Sequence, residues 1–218
     1  MCFSAEASFG SGVVLSIAGS VALHRVKKPE QWLFAGIPLL FSVQQFTEGF
    51  VWTAFRSNDV ASWLNPASYV FLTFALLIWP VWVPLSVWMI EKNAERKKLI
   101  FFALCAGFLF SGILLYALLV YPIRISTNYY HIRYVIDSPY HNPTFITILY
   151  FTATIFSLLI SGINKVRWLG AIILSSYLFS FLFFYEYTIS VWCFFAALCS
   201  VIIIFVITDL NKKTDQNL

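Results

Sequence analysis

From Trp168 to Thr208 the chain carries no charged residue except Glu186. A single helix over those roughly 40 residues would span about twice the hydrocarbon core of a bilayer, which takes ~20 residues. The stretch must therefore turn back on itself, and Tyr185-Glu186-Tyr187 is the place where it can. No soluble domain tolerates such a segment comfortably. Only 11% of the 218 residues are charged, against about 25% in a soluble domain, so the whole chain falls in the membrane class. The mean hydropathy of +0.80 agrees.

Apolar runs bounded by charge or proline predict seven spans: Ser4–Leu23, Leu33–Phe55, Ser68–Ile90, Leu99–Tyr121, Thr144–Ser161, Trp168–Tyr185 and Thr188–Thr208. The expected fold is all-α, a seven-transmembrane-helix bundle over residues 1–210, followed by a polar, disordered cytoplasmic tail, 211–218. Connections after spans one, three and five, with the tail, hold eleven of the 14 Lys and Arg. That bias predicts an outside N-terminus and a cytoplasmic C-terminus. The same placement explains the net charge of +4 as a topology signal and argues against nucleic acid as a partner. Basic residues follow the first apolar run (His24, Arg25, Lys27, Lys28), so that run reads as a retained helix and not as a signal peptide.

Within this frame several local patterns stand out. The outer connection Pro122–Pro143 contains Ile123-Arg124-Ile125 and His131-Ile132-Arg133-Tyr134, whose alternation predicts a short β-hairpin between helices 4 and 5. Span one carries Ser4, Ser8, Gly12, Ser16 and Ser20 at fourfold spacing, which favours close packing against another helix. Trp79-Pro80 and Pro84 should bend span three. Trp52, Trp63, Trp82, Trp88, Trp168 and Trp192 fall near span ends, where interfacial anchoring accounts for them. Cys105, Cys193 and Cys199 lie inside spans as small hydrophobes.

An ionisable side chain inside a span costs ~2.5–3.5 kcal/mol on insertion scales, so each one needs a reason. Glu48 is the clearest case. Gln44 and Gln45 lie one turn before it, and the three form one polar face on an apolar helix. Glu6, near the start of span one, belongs to the same outer level, and Cys2 shares its face. Removal of Met1 would free an amine beside the Cys2 thiol, a pair able to chelate a soft or borderline metal. Glu186, His131, Asp137 and His141 also fall on the outer side. Gln44, Gln45, Glu48 and Glu186 are the candidate ligand-binding residues. Cys2, Glu6 and Glu48 are the candidate metal set, with a divalent ion as candidate cofactor and the loop histidines His131 and His141 as weaker members. Phosphate loops, HExxH, GxSxG, a pair of central histidines for haem and a central Schiff-base lysine are all missing from the sequence.

The opening Met1-Cys2-Phe3-Ser4-Ala5-Glu6, with Gln45-Phe46-Thr47-Glu48-Gly49 and Trp79-Pro80 plus Pro84, resembles a bacterial family of multi-helix integral membrane proteins of unknown function. The resemblance implies a plasma-membrane location and groups Cys2, Glu6, Gln45 and Glu48 in one site. It supplies no mechanism. The leading expectation is an outer-half polar site that binds a metal ion or small cationic ligand. Two other classes stay open: a metal-dependent hydrolase acting on lipid, with a carboxylate as general base, and a small-solute or proton-linked transporter. The lipid bilayer is the one partner the sequence names, and it leaves the oligomeric state unspecified.

Overall fold

A computed structural model of the chain describes residues 4–57, 62–128, 131–138 and 143–215. Helices dominate: α1 (Ala5–His24), α2 (Ile37–Arg56), α3 (Leu64–Ile90), α4 (Ala94–Val120), α5 (Thr144–Leu159), α6 (Asn164–Phe183) and α7 (185–215). Between α4 and α5 lies the hairpin, β1 (Ile123–Asn128) and β2 (His131–Ile136). Among the described residues five helices, α1, α3, α4, α6 and α7, are long and apolar enough to cross a membrane. Helix α5 is apolar but shorter, and α2 is long enough but is made less apolar by Gln44, Gln45 and Glu48. Large apolar side chains face outward along the helices, among them Phe102 at 69%, Leu119 at 77% and Leu182 at 74% exposure. Water would oppose such a surface, whereas lipid suits it.

Helices α1 and α2 form the tightest pair. The small-residue stripe does face α2 for most of its length. Gly12 lies against the Phe46 ring, Gly19 against the backbone of Leu39, and Phe9 in turn covers Gly49. Ser42 Oγ donates to the Gly12 carbonyl (2.8 Å) and lies 2.6 Å from Ser16 Oγ. Ser20 departs from the expectation. It is exposed and donates to Ser16 O on its own helix, and Gly19 holds the contact in its place.

Helix α3 is bent for a covalent reason. Pro80 has no N–H to give to Leu76 O, and the ladder widens into a π-helical stretch, Thr73–Ile78, just before it. Neighbouring helices capture carbonyls loosened there: Tyr150 OH donates to Ala75 O (3.1 Å) and Ser111 Oγ to Leu77 O (3.0 Å). Pro84 likewise cannot serve Pro80 O, and that carbonyl points at Gly107 on α4.

The hairpin forms as its alternation predicts, antiparallel with Ile125 opposite Tyr134 and Thr127 opposite Ile132. Ile132 and Tyr134 turn into the bundle while Arg124, Ser126 and Arg133 face away. His131 packs edge-on to Phe184 (5.0 Å between centroids) and beside Tyr187 (4.9 Å). Burial there holds its imidazole below the ordinary 6.5. The undocked hairpin therefore takes up a proton more readily than the docked one, so docking is fully favoured above that value and weakens as pH falls below it. Amide exchange of β2 should accelerate at pH 5 relative to pH 7.5 once intrinsic rates are removed. Equal protection at both pH values would show that His131 does not gate docking.

At the opposite end a polar knot ties α1 to α7. Asn211 Nδ2 donates to Arg25 O (2.6 Å), and its Oδ1 accepts from Gln31 Nε2 (3.0 Å). Gln31 Oε1 accepts from the Lys27 backbone N–H (3.0 Å). The helix runs on to Asp215, so residues 211–215 continue α7 instead of starting a disordered tail. The physical reason is this knot, which fixes the last turn. Asn211→Ala leaves the Gln31 amide and the Arg25 carbonyl without these partners and should lower stability by about 1–3 kcal/mol. Thermal unfolding in detergent would read it, and an unchanged midpoint would show that the knot is ornamental.

Candidate functional site

Glu48 lies in the hairpin half of α2, 1% exposed. A carboxylate so placed must find donors, and Ser190 Oγ on α7 supplies a short hydrogen bond. Gln45, one turn earlier, lies beside the carboxylate with its amide, and its Oε1 accepts from Ser11 Oγ on α1 (3.1 Å). Gln44 is turned toward α3, where its Oε1 accepts from Trp79 Nε1 (2.7 Å). The Trp79 ring is itself fixed by stacking on Phe41, with centroids 3.9 Å apart. The polar face of α2 thus reaches three helices through three residues.

Two further groups complete the surroundings. Cys193, one turn after Ser190, lies beside Gln44 and close to Glu48. Tyr134 descends from the hairpin, stacks on Phe71 (5.0 Å) and brings a buried hydroxyl toward Glu48. Burial raises the Tyr134 phenol well above its usual value, so it is a donor and not a phenolate at neutral pH.

Donors are in surplus here. Trp52 Nε1, Trp192 Nε1, Tyr134 OH and the hydroxyls of Ser8 and Ser68 are buried without a hydrogen-bond partner among the described residues, while the Gln45 and Gln44 amides lie beside Glu48 and Cys193. Each such group costs on the order of 1–3 kcal/mol. Such groups are ordinarily met by buried water or by a bound molecule, and here they gather in one half of the bundle.

The structure redistributes the residues singled out from sequence. Gln44, Gln45 and Glu48 come together as expected. Glu6 does not join them: it is exposed and paired with Arg56, beyond Glu48 at the end of α2. The antiparallel packing of α1 on α2 places the start of α1 level with Arg56, and a bidentate guanidinium is a better partner than a second carboxylate. Glu186 is also elsewhere, at the hairpin mouth, 3.7 Å from Arg133. His131 is among aromatic rings, and Asp137 pairs with Arg124. Cys2 and His141 lie outside the described residues. Among the described residues no three His, Cys, Asp or Glu side chains gather so as to hold a metal ion. Trp52 (4% exposed) and Trp192 (8%) are interior residues, in contrast to Trp63 and Trp168, which are exposed as interfacial anchors would be.

Sequence reasoning missed Ser190, Cys193 and Tyr134. The first two are a polar pair three residues apart on an apolar helix, which is a readable signal. Tyr134 had none, because its role depends on how the hairpin folds over the bundle.

The comparisons add a family and no activity. Residues 1–217 match the model of a family of unknown function (DUF6629). No curated protein and no solved structure matches the chain.

Proposed function

The chain belongs to the family of unknown function DUF6629, and we propose that it is a seven-span membrane protein that binds a small organic cation at Glu48. In this reading the hairpin end faces outward and the C-terminus lies in the bacterial cytoplasm, as the lysine and arginine distribution favours. A tag at the C-terminus should then be reachable only from the cytoplasm, and a cysteine probe at Ser126 only from outside. The reverse result for both would invert the topology.

One observation carries the ligand reading. Glu48 is a buried carboxylate whose neighbours are neutral hydroxyl and amide groups, with no cation opposite it among the described residues. An unpaired buried charge is costly, and a bound cation relieves it. An organic ammonium head donates to carboxylate and hydroxyl oxygens such as those of Glu48 and Ser190, whereas among the described residues no three His, Cys, Asp or Glu side chains gather to hold a metal ion.

Methylammonium is the simplest probe. Titrated into the purified full chain, it should raise the unfolding midpoint in a saturable manner, while Mg²⁺ at the same ionic strength should not. Absence of a methylammonium effect, or an equal effect of Mg²⁺, would overturn the reading.

A further inference from the structure

The long apolar stretch turns at Tyr185–Tyr187, and the turn sets its one charged residue, Glu186, at the hairpin end of the bundle. Beside it a cavity of about 340 Å³ is bounded by β2, the last turns of α6 and the first turn of α7. Strand alternation sends Tyr134 into the bundle and leaves Arg133 on the other face of β2. Arg133 Nη2 and Glu186 Oε1 stand 3.7 Å apart on the cavity wall, with their side chains 45% and 54% exposed. A charge-assisted hydrogen bond would close to about 2.7–2.9 Å, so this contact leaves guanidinium N–H groups and carboxylate oxygens able to take another partner. An exposed ion pair of this kind contributes about 0–1 kcal/mol, and a ligand can separate it at little cost.

Aromatic rings make up much of the remaining wall. Tyr177, Phe181 and Tyr185 follow one another at fourfold spacing, with centroids 5.9 Å and 5.2 Å apart, and all three line the cavity. Leu182 and Phe183 beside them are exposed, as is Tyr185. An apolar helix end that passes into tyrosine lies at the headgroup level of a bilayer. The cavity shares Tyr177, Thr188 and Ile189 with a second one of about 230 Å³, whose other walls include Leu76, Phe110, Ile146 and Phe151. A mouth with two opposite charges over an apolar cleft suits an amphiphile. Charge decides which kind. A simple anion or cation is attracted by one of the two groups and repelled by the other, whereas a zwitterion satisfies both.

We propose that this cavity binds the headgroup of a zwitterionic phospholipid, its phosphate accepting from Arg133 and its primary ammonium donating to Glu186. The tyrosine and phenylalanine rings flank the ammonium, since ring faces attract cations. An acyl chain runs past Tyr177 into the apolar cleft and gains by the apolar surface it covers there. A soluble zwitterion would use the mouth and leave the cleft unfilled, which favours the lipid. The site is separate from Glu48 and stands whether or not Glu48 takes a cation.

Three probes test this: phosphatidylethanolamine, phosphatidylglycerol with the same acyl chains, and soluble glycerophosphoethanolamine. Each is added to the delipidated full chain in detergent, and bound copies are counted by native mass spectrometry. Phosphatidylethanolamine should bind at least about tenfold tighter than either of the others. Glu186→Gln should erase the preference between the two lipids and leave phosphatidylglycerol bound no more weakly than before. Arg133→Gln should weaken both lipids about tenfold. Both side chains are half exposed, so the unfolding midpoint should hold in each variant. Should Arg133→Gln disturb the hairpin, Glu186→Gln decides alone. Equal binding of the two lipids by the wild-type chain, a preference that survives Glu186→Gln, or failure of phosphatidylethanolamine to bind overturns the proposal. Glycerophosphoethanolamine bound as tightly as the lipid overturns it too, because the site would then take a soluble zwitterion.

Discussion

Gly107→Ala should be the most damaging single methyl group that can be added to this protein. A Cβ built at Gly107 would stand 1.9 Å from the carbonyl oxygen of Pro80 and 3.3 Å from Cβ of Ala153, so three helices meet at that point. The Pro80 oxygen is rigid backbone, and Pro84 denies it the usual helical partner four residues on. It therefore rests against the Cα of Gly107, the kind of close Cα–H···O approach that small residues permit between membrane helices. No side chain can swing away to admit the methyl; α4 must move off α3. We expect a loss of at least about 3 kcal/mol, at the upper end of overpacking effects, or failure to accumulate as a folded species. Gly112→Ala on the same helix is the control. A Cβ there meets nothing within 4 Å, and alanine should be neutral or stabilise the helix by up to about 1 kcal/mol. Equal unfolding midpoints for the two variants would refute the contact.

Glu48→Gln should leave the protein folded and abolish cation binding. Glutamine keeps the shape of the side chain and can still accept from Ser190, so the unfolding midpoint without ligand should move by less than about 1 kcal/mol. The charge is what a cation requires. Removing one member of a buried ion pair costs roughly 3–5 kcal/mol, which predicts a loss of at least about a hundredfold in methylammonium affinity. Glu6→Gln serves as the comparison, because Glu6 is exposed and already paired with Arg56. It should leave binding unchanged. If Glu6→Gln weakened binding as much as Glu48→Gln, the two carboxylates would have to act together after all, and the separate pairing would lose its meaning.

Both predictions concern contacts between elements far apart in the chain, and there the sequence alone falls short. Helical and strand periodicities are local, so the apolar helices, the hairpin between α4 and α5, and the common face of Gln44, Gln45 and Glu48 follow from residues within one or two turns of each other. The small-residue stripe on α1 is local too, and it correctly marks a helix that packs closely. Which helix meets which, and at what rotation, is not local. Glu48 takes its partner from Ser190, 142 residues later, and Gln44 takes its partner from Trp79, on the far side of a π-helical stretch. Glu6 and Glu48 share a side of the bundle by sequence, but the register of α1 on α2 gives Glu6 to Arg56. Trp52 and Trp192 have the composition and position of interfacial anchors, yet the packing of α2 and α7 turns them inward. A bilayer fixes the length and apolarity of each span independently, so those are written in the sequence. Partner choice is fixed by steric fit at points such as Gly12, Gly19 and Gly107, where only the assembled bundle shows which backbone fills the space a side chain leaves open.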